Sequence, residues 1–164
     1  MAGSAETAAE ALARLGLELP AVVPPLAAYH PAVVSGEYVY TSGQLPMVDG
    51  ALAATGKVGA EVDPDRAYEL ARICALNALA AVASVAPLDR VVQIVKVVGF
   101  VASAPEFTGQ PKVVNGASEL LGEVFGEAGT HARSAVGVSV LPLDAPVEVE
   151  LVARLAPSVK TVPV

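Results

Sequence analysis

The chain has 164 residues, 10 Lys and Arg against 17 Asp and Glu, a formal net charge of −7 and a pI near 4.7. That length suits one domain, and the acidic balance disfavours a phosphate backbone as partner because no basic patch overrides it. Hydrophobic residues reach 54%, mostly Ala and Val, but the longest apolar stretch, residues 73–88, is broken by Asn77 and Ser84, so no membrane span is expected.

The amino terminus has no basic start followed by an apolar core, which predicts a cytoplasmic chain without a secretory signal. Residues 4–15 predict a short amphipathic helix with Ser4 as cap and Gly16 as stop, an appendage occupying residues 1–20. Pro20, Pro24, Pro25 and Pro31 make residues 18–31 an extended connector, and a single domain is expected over 21–157 with a tail at 158–164. Ala32–Val34 and Tyr38–Ser42 flank Ser35-Gly36-Glu37 and read as a hairpin.

Asp63-Pro64-Asp65 opens a helix running to about Ala86, with an oxygen-bearing cap, a proline where no donor is needed and an acid in the first turn. Leu70, Ile73, Leu76, Leu79 and Val82 give it an apolar face, and Cys74 within it reads as a buried, inert thiol. Val91–Ala102 is β-branched and long enough for a central strand, and Pro111–Phe125 carries Val114, Ala117, Leu121 and Val124 on one helical face. Ser134–Leu141 and Val147–Leu155 alternate on either side of residues 142–146 and predict a closing hairpin. The order predicts an α/β chain of the α+β kind, a mixed sheet with two helices packed on one face. The other sheet face has no helix left to cover it, so a homo-oligomer is expected.

Arg133 stands at the mouth of a strand that is otherwise small and apolar. Its permanently charged planar fork matches a carboxylate in two parallel bonds, although an arginine also serves in surface ion pairs. Ala135, Gly137 and Ser139 share its parity and suggest space for a pocket. Glu148 and Glu150 share one face of the last strand about 7 Å apart, a spacing open to acid and base roles or to a solvated edge. If Leu141 paired with Val147, Arg133 and Glu148 would fall on different sides, which calls for a bulge or for a site drawn from two subunits. Ser42 precedes Gly43 at a strand end, but neither His30 nor His131 is tied to it by spacing, so a serine nucleophile is not indicated. The two histidines and one cysteine have no metal-ligand spacing, and no glycine cluster has the phosphate-binding pattern.

These stretches carry a resemblance: GEYVYTSGQLP (36–46), ALNALAAV (75–82), VVQIVKVVGFVAS (91–103), ARSAVGVSVLP (132–142) and VEVE (147–150). From about Tyr29 to Val152 the chain is similar to the RidA/YjgF family of reactive imine deaminases. The resemblance implies a chorismate-mutase-like fold assembled as a homotrimer with intersubunit clefts, and chemistry without metal or organic cofactor. It places the carboxylate-binding arginine on Arg133 and the water-positioning glutamate on Glu148, with Tyr29, Ser42, Asn115 and Ala135 lining the same cleft. Ala135 stands where many relatives have cysteine. The implied reaction is hydrolysis of 2-imino or enamino acids released by pyridoxal-phosphate enzymes, giving a 2-oxo acid and ammonia. The alternatives are a binder of 2-oxo acids without catalysis and, as described for some relatives, a ribonuclease or translation inhibitor.

Overall fold

The computed structural model of the chain describes residues 6–22 and 28–157. The first helix, α1 (Ala8–Arg14), starts after Thr7 and not after Ser4, which lies outside the described residues. The reason is local: a capping box needs a carboxylate three residues on, and Thr7 has Glu10 where Ser4 would meet Thr7. The Thr7 hydroxyl accepts from the Glu10 amide at 3.2 Å and the Glu10 carboxylate accepts from the Thr7 amide at 2.9 Å. Ala8 and Leu12 join the main hydrophobic core, and the Ala8 amide donates to Asp89 Oδ1 at 3.0 Å. Residues 17–22 and 28–31 have no regular structure, while Pro24, Pro25 and the tail at 158–164 fall outside the described residues.

The first hairpin forms as expected, with β1 (Ala32–Ser35) and β2 (Tyr38–Thr41) joined across Gly36, whose φ of 60° suits a residue without Cβ. A second, minute ribbon pairs β3 (Met47–Val48) with β4 (Ala51–Leu52) around Asp49 and Gly50, at φ 51° and 81°. Asp-Gly with two left-handed residues is a hairpin signal not among the expected elements above. Asp63 caps α2 (Pro64–Ala83) through Oδ1, which accepts from the Asp65 and Arg66 amides at 3.1 and 2.9 Å. The helix stops three residues short of Ala86. Its buried stripe runs Ala67, Leu70, Ala71, Cys74, Ala75, Ala78, Leu79 and Val82, while Ile73 and Leu76 are half-buried. A strict three-residue repeat drifts around the helix, so the core takes the three-and-four repeat of an α-helix instead.

The remaining elements are β5 (Val91–Ala102), α3 (Gln110–Phe125), β6 (Ala132–Val138) and β7 (Val147–Leu155). Val114, Ala117, Leu121 and Val124 of α3 are buried, as the sequence predicts. The main sheet has the order β1-β2-β7-β5-β6; β6 lies parallel to β5 and every other pairing is antiparallel.

The expected closing hairpin does not form: β6 and β7 lie on opposite edges of β5, which is central as predicted. Alternation identifies a strand but not its neighbour. A parallel β5–β6 pair requires a long crossover, and α3 provides it. Residues 142–146 then cross the strand ends in a tight turn with Leu143 at φ 58° and Asp144 at φ 60°, where the Gly56 amide donates to the Asp144 carbonyl at 2.9 Å.

Both long helices cover one sheet face, over Val39, Ile94, Val97, Val101, Val147, Val149, Leu151 and Ala153, all at most 2% exposed. The opposite face carries Tyr38, Tyr40, Lys96, Val98, Phe100, Ser134, Val136, Glu148, Glu150 and Val152, as the strand register dictates. Tyr40 and Val136 remain 44% exposed there. Among the described residues no helix is long and apolar enough to cross a membrane.

Candidate functional site

Arg133 lies in register with Val97, a fully buried residue, and so projects to the helix-covered side of the sheet. Its Nη1 donates to Asn115 Oδ1 at 2.8 Å and to Ser118 Oγ at 3.1 Å, and its Nη2 donates to the Pro111 carbonyl at 3.2 Å. All three acceptors are neutral groups of α3, and among the described residues no carboxylate pairs with this guanidinium. The half-buried cation is therefore held in place but not neutralised. A cavity of about 350 Å³ opens beside it, lined by Asn115, Ser118, Gly122, Arg133 and residues 129–131.

The space expected beside Arg133 from Ala135, Gly137 and Ser139 is filled differently. A Cβ on Gly137 would stand 2.8 Å from Gln110 Nε2, and Ala135 packs against the core, so α3 takes up that gap. Ser139 lies beyond the end of β6.

Glu148 belongs to the other side. It is in register with Phe100 and faces the uncovered sheet surface together with Glu150. Burial, and then the neighbouring Glu150, push its carboxyl above the usual carboxylate range. Among the described residues nothing donates a hydrogen bond to it. The segment Ser42-Gly43-Gln44 runs alongside, pinned where the Gln44 amide donates to the Val149 carbonyl at 2.8 Å and the Gln44 carbonyl accepts from the Val149 amide at 3.0 Å. A Cβ on Gly43 would stand 1.7 Å from Glu148 Oε1. Gly43 is thus required because the carboxylate lies directly on its backbone. Gly43→Ala is expected to displace Glu148 and cut any turnover that depends on it at least tenfold, with little change in melting temperature because the colliding atom ends a flexible, half-buried side chain; steady-state kinetics beside thermal melts check this.

The Ser42 hydroxyl donates to the His30 carbonyl at 2.7 Å, which ties the connector bearing Tyr29 to the Glu148 side. Tyr29 itself is 52% exposed. Within one chain the expected residues therefore form two groups: Arg133 with Asn115 on the helix side, and Glu148 beside Ser42 on the open side. β5 and the thickness of the sheet separate them. Ser118 and His131 are neighbours of Arg133 that the sequence does not single out; the legible signal is that Ser118 follows Asn115 by three, a polar pair on one side of α3, off its buried stripe. Cys74 is fully buried, and burial raises its thiol well above the ordinary range, as an inert core cysteine requires. No cluster of three metal-ligating side chains occurs among the described residues.

A mixed sheet with both long helices on one face, an arginine at a cavity with no carboxylate partner among the described residues, and a half-buried glutamate on the bare face define an α+β protein. The chain belongs to the family described as "YjgF/chorismate mutase-like, putative endoribonuclease", which it matches over residues 9–155. That span includes α1 and reaches further toward the amino terminus than the Tyr29–Val152 stretch in which the resemblance is visible. The Trypanosoma cruzi protein TCP17 is 44% identical over 146 residues, covering 88% of this chain and 91% of the relative. Among solved structures, protein Atu1372 from Agrobacterium tumefaciens, of unknown function, superposes with a TM-score of 0.85 at 43% identity over 92% of this chain and 94% of its own. TdcF from E. coli with bound serine matches with a TM-score of 0.60 at 27% identity, over 84% and 93% of the two chains.

Proposed function

We propose that the protein is a cofactor-independent hydrolase of small 2-imino and enamino acids, assembled as a trimer in which Arg133 of one copy and Glu148 of its neighbour line one cleft. The observation that carries the reading is the Arg133 guanidinium, ordered by three neutral acceptors and, among the described residues, without a carboxylate partner. A half-buried cation held this way gains from an anionic ligand what an ion pair would otherwise supply. The bare sheet face supports the assembly. It presents Tyr38, Tyr40 and Val136 together with Lys96, which donates to Ser134 Oγ at 2.9 Å, and Glu150, so apolar surface and both signs of charge are available for a second copy.

Chemically, little more is needed. Arg133 grips the substrate carboxylate, which fixes the adjacent C=N carbon. Glu148, ionised, accepts a proton from water as the water oxygen bonds that carbon, and the C=N electron pair moves to the nitrogen. The carbinolamine then collapses: Glu148 passes its proton to the nitrogen, the hydroxyl gives up a proton to the regenerated carboxylate or to water, and the C–N bond breaks as the C=O bond forms, releasing ammonia. Orientation and exclusion of bulk water supply the acceleration.

The direct test is ammonia release from 2-iminobutanoate generated in place by an amino acid oxidase; a rate equal to that in buffer removes the deaminase reading. Glu148→Gln should lower turnover about a hundredfold and leave affinity for 2-oxobutanoate almost unchanged. The same variant has a stability signature. Folding raises the Glu148 carboxyl, so the native state holds the proton to higher pH, and stability falls as pH rises from the ordinary carboxylate range through the raised value. Glu148→Gln should therefore melt higher than the parent above that window and equally below it.

The second reading is a ligand-binding protein without catalysis, favoured by the serine that TdcF holds. Tight binding of 2-oxo acids with no ammonia release would select it. The endoribonuclease description has less support, since a net charge of −7 opposes a phosphate backbone.

A further inference from the structure

The chemistry above makes no use of His131 or Ser118, yet both stand against its central residue. His131 Nδ1 lies 2.6 Å from the Gly129 carbonyl oxygen and Nε2 lies 2.9 Å from Ser118 Oγ. A carbonyl oxygen only accepts, so Nδ1 carries the ring proton; in the neutral ring Nε2 is then an acceptor, and the Ser118 hydroxyl donates to it. With its hydrogen committed, the Ser118 oxygen has only lone pairs to offer, and Arg133 Nη1 donates to one of them. The far end of this relay is rigid. Residues Gly126–Gly129 pass so close to α3 that a Cβ on Gly129 would stand 2.3 Å from the Leu121 carbonyl oxygen.

A count of donors shows what the relay does. Guanidinium has five N–H groups. Both Nη1 hydrogens go to Asn115 and Ser118, and one Nη2 hydrogen goes to the Pro111 carbonyl. Among the described residues nothing accepts from the Nε hydrogen or the second Nη2 hydrogen. We propose that Ser118 and His131 are positioning residues that turn Arg133 so that a ligand carboxylate meets Nε and Nη2 side-on. The inference rests on Arg133 as the ligand anchor. A hydroxyl beside a histidine base also resembles a nucleophile, but a ligand on the Nε side lies across the guanidinium from Ser118, out of its reach.

The test is titration of the full-length protein with 2-oxobutanoate, for the parent, Ser118→Ala, His131→Phe, the double variant, and the conservative Ser118→Thr and His131→Gln. Each alanine or phenylalanine change should weaken 2-oxobutanoate about tenfold, since the affected bond is to a charged group. The double variant should be no worse than either single one, because both break one relay. Ser118→Thr and His131→Gln should restore the affinity. With the imino acid as substrate, KM should rise while turnover holds. Independent, additive losses, or a fall in turnover without a rise in KM, would overturn the proposal. Arg133→Ala separates the two levels: if it binds 2-oxobutanoate as the parent does, the anchor reading falls; if it does not bind while Ser118→Ala and His131→Phe bind normally, only the positioning role falls.

Discussion

Arg133→Ala is expected to abolish ligand capture in a protein that still folds. Truncating one member of a desolvated, hydrogen-bonded charge pair costs about 2 to 5 kcal/mol, or roughly 30- to 5,000-fold in kcat/KM. The fold should tolerate the change because the acceptors left behind are the Asn115 amide, the Ser118 hydroxyl and the Pro111 carbonyl, all neutral and beside a cavity that water can enter. Kinetics with 2-iminobutanoate and native mass measurement together check this outcome. Unchanged kinetics would remove Arg133 from the site, whereas loss of the assembly along with activity would make its role structural.

Gly116→Ala is expected to have the largest effect on stability. A Cβ there would stand 2.0 Å from the Tyr68 carbonyl oxygen and 3.3 Å from the Arg72 amide nitrogen, because α2 and α3 cross at backbone contact. Alanine gains about 1 kcal/mol of helix propensity over glycine, but forcing two packed helices apart costs about 3 kcal/mol or more. Overpacking wins, and a net loss near 2 kcal/mol corresponds to a melting temperature lower by roughly 4–8 °C for a chain of this size. Gly122→Ala on the same helix is the control: nothing lies within 4 Å of its added Cβ, so propensity alone acts and the protein should melt slightly higher. Equal shifts for the two variants would show that the helices do not cross where described.

The element types and several boundaries were legible because they depend on neighbours in the chain. Asp63-Pro64 satisfies the first amides of α2 wherever that helix ends up, and the turn at Gly36 needs only a residue that accepts positive φ. The apolar side of α3 follows from its own period. At α1 the same kind of rule, applied to Thr7 and Glu10, gives the start that Ser4 does not. The predicted α2 face holds at Leu70, Leu79 and Val82 but not at half-buried Ile73 and Leu76, because a repeat of three leaves the stripe that the 3.6-residue period keeps buried.

Partnerships between distant segments were not legible. The alternating pattern of residues 134–141 is compatible with pairing to either edge of the sheet, and only the crossover through α3 puts β6 beside β5 and away from β7. That pairing sends Arg133 and Glu148 to opposite faces, where the sequence could say only that their parities conflict. It also brings Ser118 to His131, thirteen residues apart, through a loop whose course depends on close contact with a helix backbone.

By itself, then, the sequence determined which segments are helix or strand, which family the chain resembles, and that one arginine stands alone among small residues, since local sterics, capping and period settle such matters. The tertiary structure alone decided that Arg133 is ordered by neutral oxygens, that Glu148 rests on Gly43, and that the two lie across the sheet from each other. Those facts come from side chains that meet through space, and a linear pattern does not encode how far apart its ends will fold.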